Sequence, residues 1–412
     1  MSDWTSTTLG RVFAVDNTKL GPHDEEPTVM SLSKYDGFVR AEEYFDKRIA
    51  SSNLDGYKVV EPGEWAFSTI HIDEGSIARN NLGERGVISP MYTTMRLVAT
   101  DCIPEYAELL VRQPGMLAEY SRRAQGSINR RRSLPFKAFA AIEFRMPGPT
   151  EQRRIIDVIA AVDAQIAALN EEAARGWKAW EAVVAGLDVN DGRLQLADGL
   201  RSIEAGKSPR GQERLPGPEE RAVLKISAVG RAKFHSTEVK TVDASTALPE
   251  STRVRSGDVL LVRCNAVLDR VGIVCRVDEV SDNLYLCDKT LRLVADEHVL
   301  LPAYLVHAMA TPSVREQIAR LTAGSDMRNI GQKALREIVV PDPGTEAQGV
   351  VAAGLDELVS RTKIIEDEAS HLRMFRTSLL TSLLKQEIVI PESYDTLLHG
   401  SESYNALLEK VF

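Results

Sequence analysis

Apolar and polar positions along this chain change their period in one fixed order, and the order occurs twice. Val60-Glu61-Pro62-Gly63-Glu64 leads into Trp65-Ala66-Phe67-Ser68, and Val254-Arg255-Ser256-Gly257-Asp258 leads into Val259-Leu260-Leu261-Val262. Each predicts a Gly-Asp/Glu turn followed by a buried strand. Met95-Arg96-Leu97-Val98-Ala99 then matches Leu291-Arg292-Leu293-Val294-Ala295, and Ile103-Pro104-Glu105-Tyr106 matches Leu301-Pro302-Ala303-Tyr304. After each Pro-x-Tyr the apolar period lengthens from two to about 3.6, which predicts a helix. Ala124-Gln125-Gly126-Ser127 and Thr322-Ala323-Gly324-Ser325 predict turns followed by polar and basic residues. A strand around Ile142 to Met146, or Ile338 to Val340, finally meets a Pro-rich turn, Pro147-Gly148-Pro149-Thr150-Glu151-Gln152 or Pro341-Asp342-Pro343-Gly344-Thr345-Glu346-Ala347-Gln348. A repeat of half the chain constrains the fold more than any single motif.

A long helical pattern follows each Pro-rich turn, opened by Thr and Glu in capping positions. The first, about Glu151 to Leu187, carries Ile155, Ile159, Val162, Ile166 and Leu169, then Trp177, Trp180, Val184 and Leu187. The second, about Glu346 to Leu384, carries Val351, Leu355, Leu358, Ile365, Leu372, Phe375, Leu379 and Leu383. Steps of three and four with charges between them predict a coiled-coil seam. At a rise of 1.5 Å per residue such helices span roughly 50 Å, which suits a spacer better than a cap on one small domain. The division expected is a first domain over 1–150, a helix over 151–188, a second domain over 189–345, a helix over 346–385 and a tail over 386–412. The tail has its own echo, Ser393-Tyr394-Asp395-Thr396-Leu397-Leu398 and Ser403-Tyr404-Asn405-Ala406-Leu407-Leu408, and reads either as a short helical appendage that touches a partner or as a disordered end.

Composition narrows the class. With 412 residues, 43% hydrophobic and 26% charged, the chain is long enough for two or three globular domains and unlike a fibrous or disordered protein. No apolar run approaches the roughly 18 residues of a membrane helix, and Met1 to Asp16 has neither a basic nor an apolar leader segment, so a cytoplasmic protein is expected. Cys102, Cys264, Cys275 and Cys287 show no C-x-x-C spacing and the histidines no ligand cluster, so reduced thiols and no structural metal are expected. The formal net charge of −9 argues by itself against a nucleic-acid binder, so the distribution of cations has to decide.

The ordered set of a Gly-Asp turn and strand, an Arg-Leu strand, a Pro-x-Tyr helix, a Gly-Ser loop, a Pro-rich turn and a long helix, present twice, resembles the Type I restriction-modification specificity subunit family. The opening segments also fit: Trp4 to Leu9-Gly10-Arg11-Val12, and Leu196-Ala197-Asp198-Gly199-Leu200 with Gly206-Lys207-Ser208-Pro209. The resemblance covers nearly everything from Trp4 to about Leu384. It implies an α/β (α+β) chain with two pseudo-repeated target recognition domains, each built on a twisted sheet and reading half of a split site in double-stranded DNA. It implies two long helices forming an antiparallel coiled coil that sets the gap and docks two methyltransferase subunits, with restriction endonuclease subunits joining through them. No cofactor is expected on this chain; S-adenosylmethionine, ATP and Mg are expected only on the partner subunits. The chain departs from the family pattern at Glu346-Ala347-Gln348, an apparent extra residue that leaves the register of the second helix open.

Base reading requires bidentate side chains on loops, and anchoring requires cations at phosphates. The first half offers Arg79, Asn80, Asn81 and Arg85 after its Gly-Glu strand, and Arg122, Arg123, Arg130, Arg131 and Arg132 around Gly126-Ser127. The second offers Arg263, Asn265 and Arg270 after its Gly-Asp strand, and Arg328, Asn329, Gln332 and Lys333 after Gly324-Ser325. Two loops per half, in matching positions, are expected to form one DNA-facing edge; the competing reading of any single arginine is a solvated surface charge.

Catalytic motifs are missing from the sequence. It lacks Asn-Pro-Pro-Tyr, H-E-x-x-H and G-x-S-x-G, and Ala205-Gly206-Lys207-Ser208 only imitates a P-loop, because Arg201 stands where the first glycine is required. Pro341-Asp342 resembles the start of a nuclease motif but has no acidic-x-Lys partner. The expected role is therefore a non-catalytic recognition subunit. Its rivals are a two-domain protein-binding adaptor without DNA specificity, and an enzyme with an unrecognised site.

Overall fold

Each half of the chain builds a four-stranded antiparallel sheet, and the strand order is the same in both. The first runs Phe13–Val15, Tyr92–Leu97, Trp65–Ser68, Ile77–Arg79; the second runs Leu200–Ala205, Thr290–Ala295, Val259–Val262, Val274–Arg276. This computed structural model describes residues 4–22, 26–44, 53–125, 132–189, 191–281, 283–324 and 327–395. Trp65–Ser68 and Val259–Val262 are buried along their whole length, as strands covered on both faces require. Gly63 and Gly257, in the turns before them, have φ of +84° and +87°, the left-handed conformation that glycine adopts without strain.

Helices Pro104–Arg112 and Pro302–Ala308 follow, each with proline at the first position, where no N–H is needed. Helices Pro114–Arg123 and Pro312–Leu321 come next. Tyr106 and Tyr304 are fully buried. The single helical turns Leu9–Val12 and Leu196–Gly199 are tied to the strands that close each half, through Leu9 N–H to Ile142 O (2.9 Å) and Leu196 N–H to Ile338 O (2.8 Å).

These bonds correct two of the sequence matches. Trp65 lies opposite Met95, whereas Val259 lies opposite Leu293, so Met95 corresponds to Leu293 and the counterpart of Arg292 is Thr94, not Arg96. Ile142 corresponds to Ile338, and ten residues on, Gln152 corresponds to Gln348, so the two Pro-rich turns are equal in length and no residue is extra. Gln152 accepts from Ile103 N–H (2.7 Å) and donates to Asp101 O and Pro147 O (both 2.8 Å). Gln348 accepts from Leu301 N–H (2.9 Å) and donates to Val299 O (3.0 Å) and the Asp342 carboxylate (2.9 Å). Both slips are of two residues; in the strand a shift of two keeps every side chain on its proper face, and in the turn it follows the Pro-x-Pro spacing.

The chain divides into two compact units, 1–168 with 369–412 and 169–368. The long helices, Pro149–Gly186 and Thr345–Leu384, each contribute a segment to both. In the first unit Phe13, Trp65, Phe67, Tyr120 and Phe139 form the core, closed by Ile155 and Ile159 of the first helix and Leu380 and Leu383 of the second. In the second unit Trp180 and Val184 pack with Leu355 and Val359. The helices pair antiparallel: partner numbers fall on one as they rise on the other, from Asp163 with Arg376 (2.8 Å) to Trp177 with Glu366 (2.8 Å). A Cβ at Gly176 would stand 2.3 Å from Thr362 Oγ1, so the close approach there requires glycine.

The halves differ outside the repeat. The second unit adds a sheet ordered Gly211–Gln212, Val239–Val242, Arg221–Leu224, Leu284–Tyr285, its last pair parallel, which covers the Leu260–Val262 face. Among its described residues the first unit has there the ribbons Met30–Ser33 with Gly37–Arg40 and Lys58–Val60 with Gly86–Ile88.

As far as residue 395, the tail folds back onto the first long helix. Ile390 is buried, Tyr394 donates to the Asp157 carboxylate, and Asp395 takes two hydrogen bonds from Arg154 (2.7 and 2.6 Å). The second copy of the tail echo, 403–408, lies outside the described residues. Among the described residues no helix is long and apolar enough to cross a membrane, no group of acidic, His and Cys side chains could hold a metal ion, and all four cysteines are free and buried.

Candidate nucleic-acid interface

In the second unit the antiparallel register gathers the strand ends on one edge. Ala205 is opposite Leu291 and Val262 opposite Thr290, so the residues just beyond them, Lys207, Lys289 and Arg263, come to the same rim. Cys264–Asn265 continues past that rim and pairs antiparallel with Arg328–Asn329, so residues distant in sequence form a two-stranded ribbon. Ala323 and Asn329 close the Gly-Ser loop with two backbone bonds (3.0 and 2.8 Å), and Ile330 N–H donates to Arg263 O (3.0 Å). The side chains then fix one another. Arg263 Nε donates to Asn329 Oδ1 (3.2 Å), Arg328 Nη1 to Ala266 O (3.5 Å), and Asn265 Oδ1 accepts from Val267 N–H (3.0 Å). Arg270, Gln332 and Lys333 are exposed. Four of the expected residues, Arg263, Asn265, Arg328 and Asn329, are thus brought together. Burial pushes the Cys264 thiol between them up from its ordinary value, which keeps it protonated.

The first unit closes its Gly-Ser loop in the same way. Gln125 and Ser133 exchange backbone bonds (2.8 and 2.9 Å), and Leu134 N–H donates to Thr69 O (2.8 Å), as Ile330 does to Arg263. Thr69 therefore stands where Arg263 stands. Arg79 lies opposite Trp65, the first residue of its strand, while Thr69 follows the last, so Arg79, Asn80, Asn81 and Arg85 sit at the opposite end of that strand from the Gly-Ser loop. The expectation of matching positions fails because a hairpin reverses the chain: residues after its second strand return to where the first began. Arg276, opposite Val259, is the true counterpart of Arg79.

Those four residues have local partners. Arg79 pairs with Glu105 (2.9 Å), Asn81 donates to Glu108 (2.9 Å) and Arg85 to Glu61 (2.9 Å). Asn80 is buried; its amide donates to the carbonyls of Val60, Glu61 and Glu84 (3.4, 3.2 and 2.9 Å) and accepts from Leu82 N–H (3.1 Å), so it shapes the loop from inside. Near the Gly-Ser loop, Arg122 and Arg123 both grip Glu119, and the hydrogen bonds from Arg122 hold that carboxyl down at about 2. Arg132 donates to Ala124 O (3.2 and 2.6 Å). Arg130 and Arg131 lie outside the described residues.

Two cations on the second rim, Lys207 and Lys289, were missed in the sequence. The signal was present in Gly206-Lys207-Ser208, read as part of an opening segment and as a failed P-loop but not as a source of a contact; Ser208 donates to the Asp288 carboxylate across the rim.

One His–Asp pair has the outline of a catalytic dyad, with His307 Nε2 3.0 Å from Asp356 Oδ1. His307 is fully buried and its Nδ1 accepts from Trp180 Nε1 (3.1 Å), so both ring nitrogens are engaged within the core. Burial alone would raise the Asp356 carboxyl, but the His307 hydrogen bond and the charge of Arg276, 2.9 Å away, hold it below its ordinary value. This is a packing network that joins helix Pro302–Ala308 to both long helices within the second unit.

No family model matches the sequence. Over 228 residues the chain is 23% identical to the specificity subunit of the Type I restriction enzyme EcoKI from Escherichia coli K12, a match that takes in 53% of this chain and 48% of the relative. The chain thus matches about half the length of that curated relative. Its fold is similar to the crystal structure of a Type I restriction-modification S subunit from M. genitalium, with a TM-score of 0.50 at 12% identity over 93% of this chain and 96% of that one. It is also similar to a structure solved to explain complex assembly and conformational transition of the type I restriction-modification system, with a TM-score of 0.52 at 14% identity over 92% and 97%. The fold is the one that the repeated motifs imply.

Proposed function

We propose, from the premise that nearly the whole chain shares the fold of Type I restriction-modification S subunits, that this protein is the DNA specificity subunit of such a complex. The observation that carries the reading is the repeated junction, in which each unit closes a Gly-Ser loop onto the exit of a buried central strand and brings polar and basic side chains to it. Each unit reads half of a bipartite site in double-stranded DNA. The second does so through Arg263, Asn265, Arg270, Arg328, Asn329, Gln332 and Lys333, with Lys207 and Lys289 at phosphates. The first does so through Arg122, Arg123, Arg132 and the Gly-Ser loop that carries Arg130 and Arg131.

The first long helix has 38 residues and the second 40. At 1.5 Å per residue that is about 57–60 Å, more than one DNA turn of about 34 Å, so unspecified base pairs separate the half-sites. Two methyltransferase subunits dock on the paired helices and restriction subunits join through them; S-adenosylmethionine, ATP and Mg act on those partners, in the cytoplasm. The chain itself catalyses nothing.

Methylome sequencing of host cells with and without this gene tests the reading. Loss of one two-part methylated motif is expected. A mobility shift with the companion methyltransferase should show salt-sensitive, sequence-selective binding. Protein binding without such selectivity would establish the adaptor reading instead.

A further inference from the structure

The ribbon Cys264–Asn265 with Arg328–Asn329 is composed unlike an ordinary charged surface. Two apolar side chains, Val267 and Met327, flank it on its two arms and are 54% and 51% exposed. Arg263 is half-buried and its guanidinium is oriented by Asn329 Oδ1 through Nε, with only a long 3.5 Å contact from Nη1 to Asp288 O. That leaves the outer edge of the fork, Nη1 and Nη2, as a pair of parallel donors. The same bond fixes the Asn329 amide so that Nδ2 faces away from Arg263.

A solvated arginine needs no such buttress; a planar fork can also take a phosphate bidentately, but a phosphate is served as well by a lysine's point charge, whereas a base edge is not. A two-stranded ribbon fits the major groove, where guanine O6 and N7 form the acceptor pair that matches an arginine fork and thymine offers a methyl group to apolar side chains. We propose that Arg263 reads a guanine in the second half-site from the major groove, and that Asn329 is the positioning residue that holds its fork. The proposal rests on the DNA-reading function above and names one base and one reader within it.

The test uses the full chain with its companion subunits, reading the methylated motif in cells and binding to duplexes with each base of the second half-site substituted. Arg263→Lys keeps the charge and removes the fork. Arg263→Lys and Arg263→Gln are both expected to lower discrimination at a single G·C pair by about ten- to a hundredfold, leaving the first half-site unchanged. Asn329→Ala is expected to weaken discrimination at the same pair by a smaller factor, with a salt dependence close to wild type. Thermal melting of each variant separates lost reading from lost folding. A folded Arg263→Lys complex with an unchanged motif and unchanged discrimination would overturn the guanine assignment while leaving the DNA reading intact. Absence of any two-part motif from the wild-type complex would overturn the reading on which the assignment rests.

Discussion

Arg292 in the second unit and Thr94 in the first occupy one position of one sheet and solve different problems. Arg292 lies beside Leu260 on the face that the added sheet covers, and its side chain is only 10% exposed. It pairs with Glu204 (2.9 Å) and Asp258 (2.9 Å) and donates to the carbonyls of Arg253 and Ser251. Thr94 is buried against Ala66 and donates only to Asp16 O. Asp16 and Glu64 occupy the positions of Glu204 and Asp258, but Asp16 is paired with Arg96 (3.0 Å) from outside, while burial, helped by Asp16 and Glu61, pushes the Glu64 carboxyl up. One backbone thus tolerates either a central cation or none, depending on what covers it.

The largest expected effect tests that contrast. Arg292→Met should destabilise the second unit by ~3 kcal/mol, because it leaves Glu204 and Asp258 without the cation they pair with and removes a donor from two carbonyls. Chemical denaturation measures it; a loss below that of Thr94→Val, expected at ~1 kcal/mol for one hydroxyl bond, would reverse the comparison.

Where the units agree, equal effects are expected. Gln152→Ala and Gln348→Ala should each remove ~2 kcal/mol, since each takes the side-chain partner from a half-buried backbone N–H and from two acceptors. Widely different values would mean that the shared geometry conceals different roles.

His307→Leu installs the residue that the first unit has at the same helical position, Leu109. It should destabilise the second unit by ~1–2 kcal/mol at neutral pH by stranding Trp180 Nε1. The Asp356 carboxyl is depressed in the folded state, so its contribution is present above the ordinary carboxyl value and is lost as pH falls through the lower folded value. Acid titration of stability below about pH 4 should therefore be steeper in wild type than in His307→Leu.

The smallest effect concerns Glu64. Its folded value is raised, so its ionised form opposes folding at neutral pH and the penalty fades as pH falls through that value. Glu64→Gln should stabilise the first unit by ~0.5 kcal/mol at pH 7 after allowing for solvent screening, and not at pH 4. Asp258→Asn, at the matching position, should destabilise the second unit because it removes a partner of Arg292. The same sign in both would sink the comparison.

Much of the fold was legible because local patterns are strong where one physical demand dominates. Trp65–Ser68 and Val259–Val262 read as buried strands from their apolar runs, and the stripe from Ile155 to Val184 read as a helix because burial recurs every three or four residues. The two misalignments, Arg96 for Thr94 and Pro341 for Pro343, each hide behind a spacing of two: a strand has period two and Pro-x-Pro repeats at two, so the slips leave the pattern intact and only hydrogen bonds to distant residues reveal them. The added sheet in the second unit was not read at all, since its strands of two to four residues carry too little period to register.

The candidate site divides along the same line. The basic and amide-rich loops were visible as composition, and so was the second Gly-Ser loop. That Arg263 meets Asn329, that Lys207 and Lys289 share their rim, and that Arg79 lies at the far end of its strand were decided by strand direction and register, which join residues far apart in sequence. The sequence by itself determined that there are two units of one design carried on two long helices, because hydrophobic period and turn chemistry are local. Only the tertiary structure decided which side chains face one another, because that depends on how strands return.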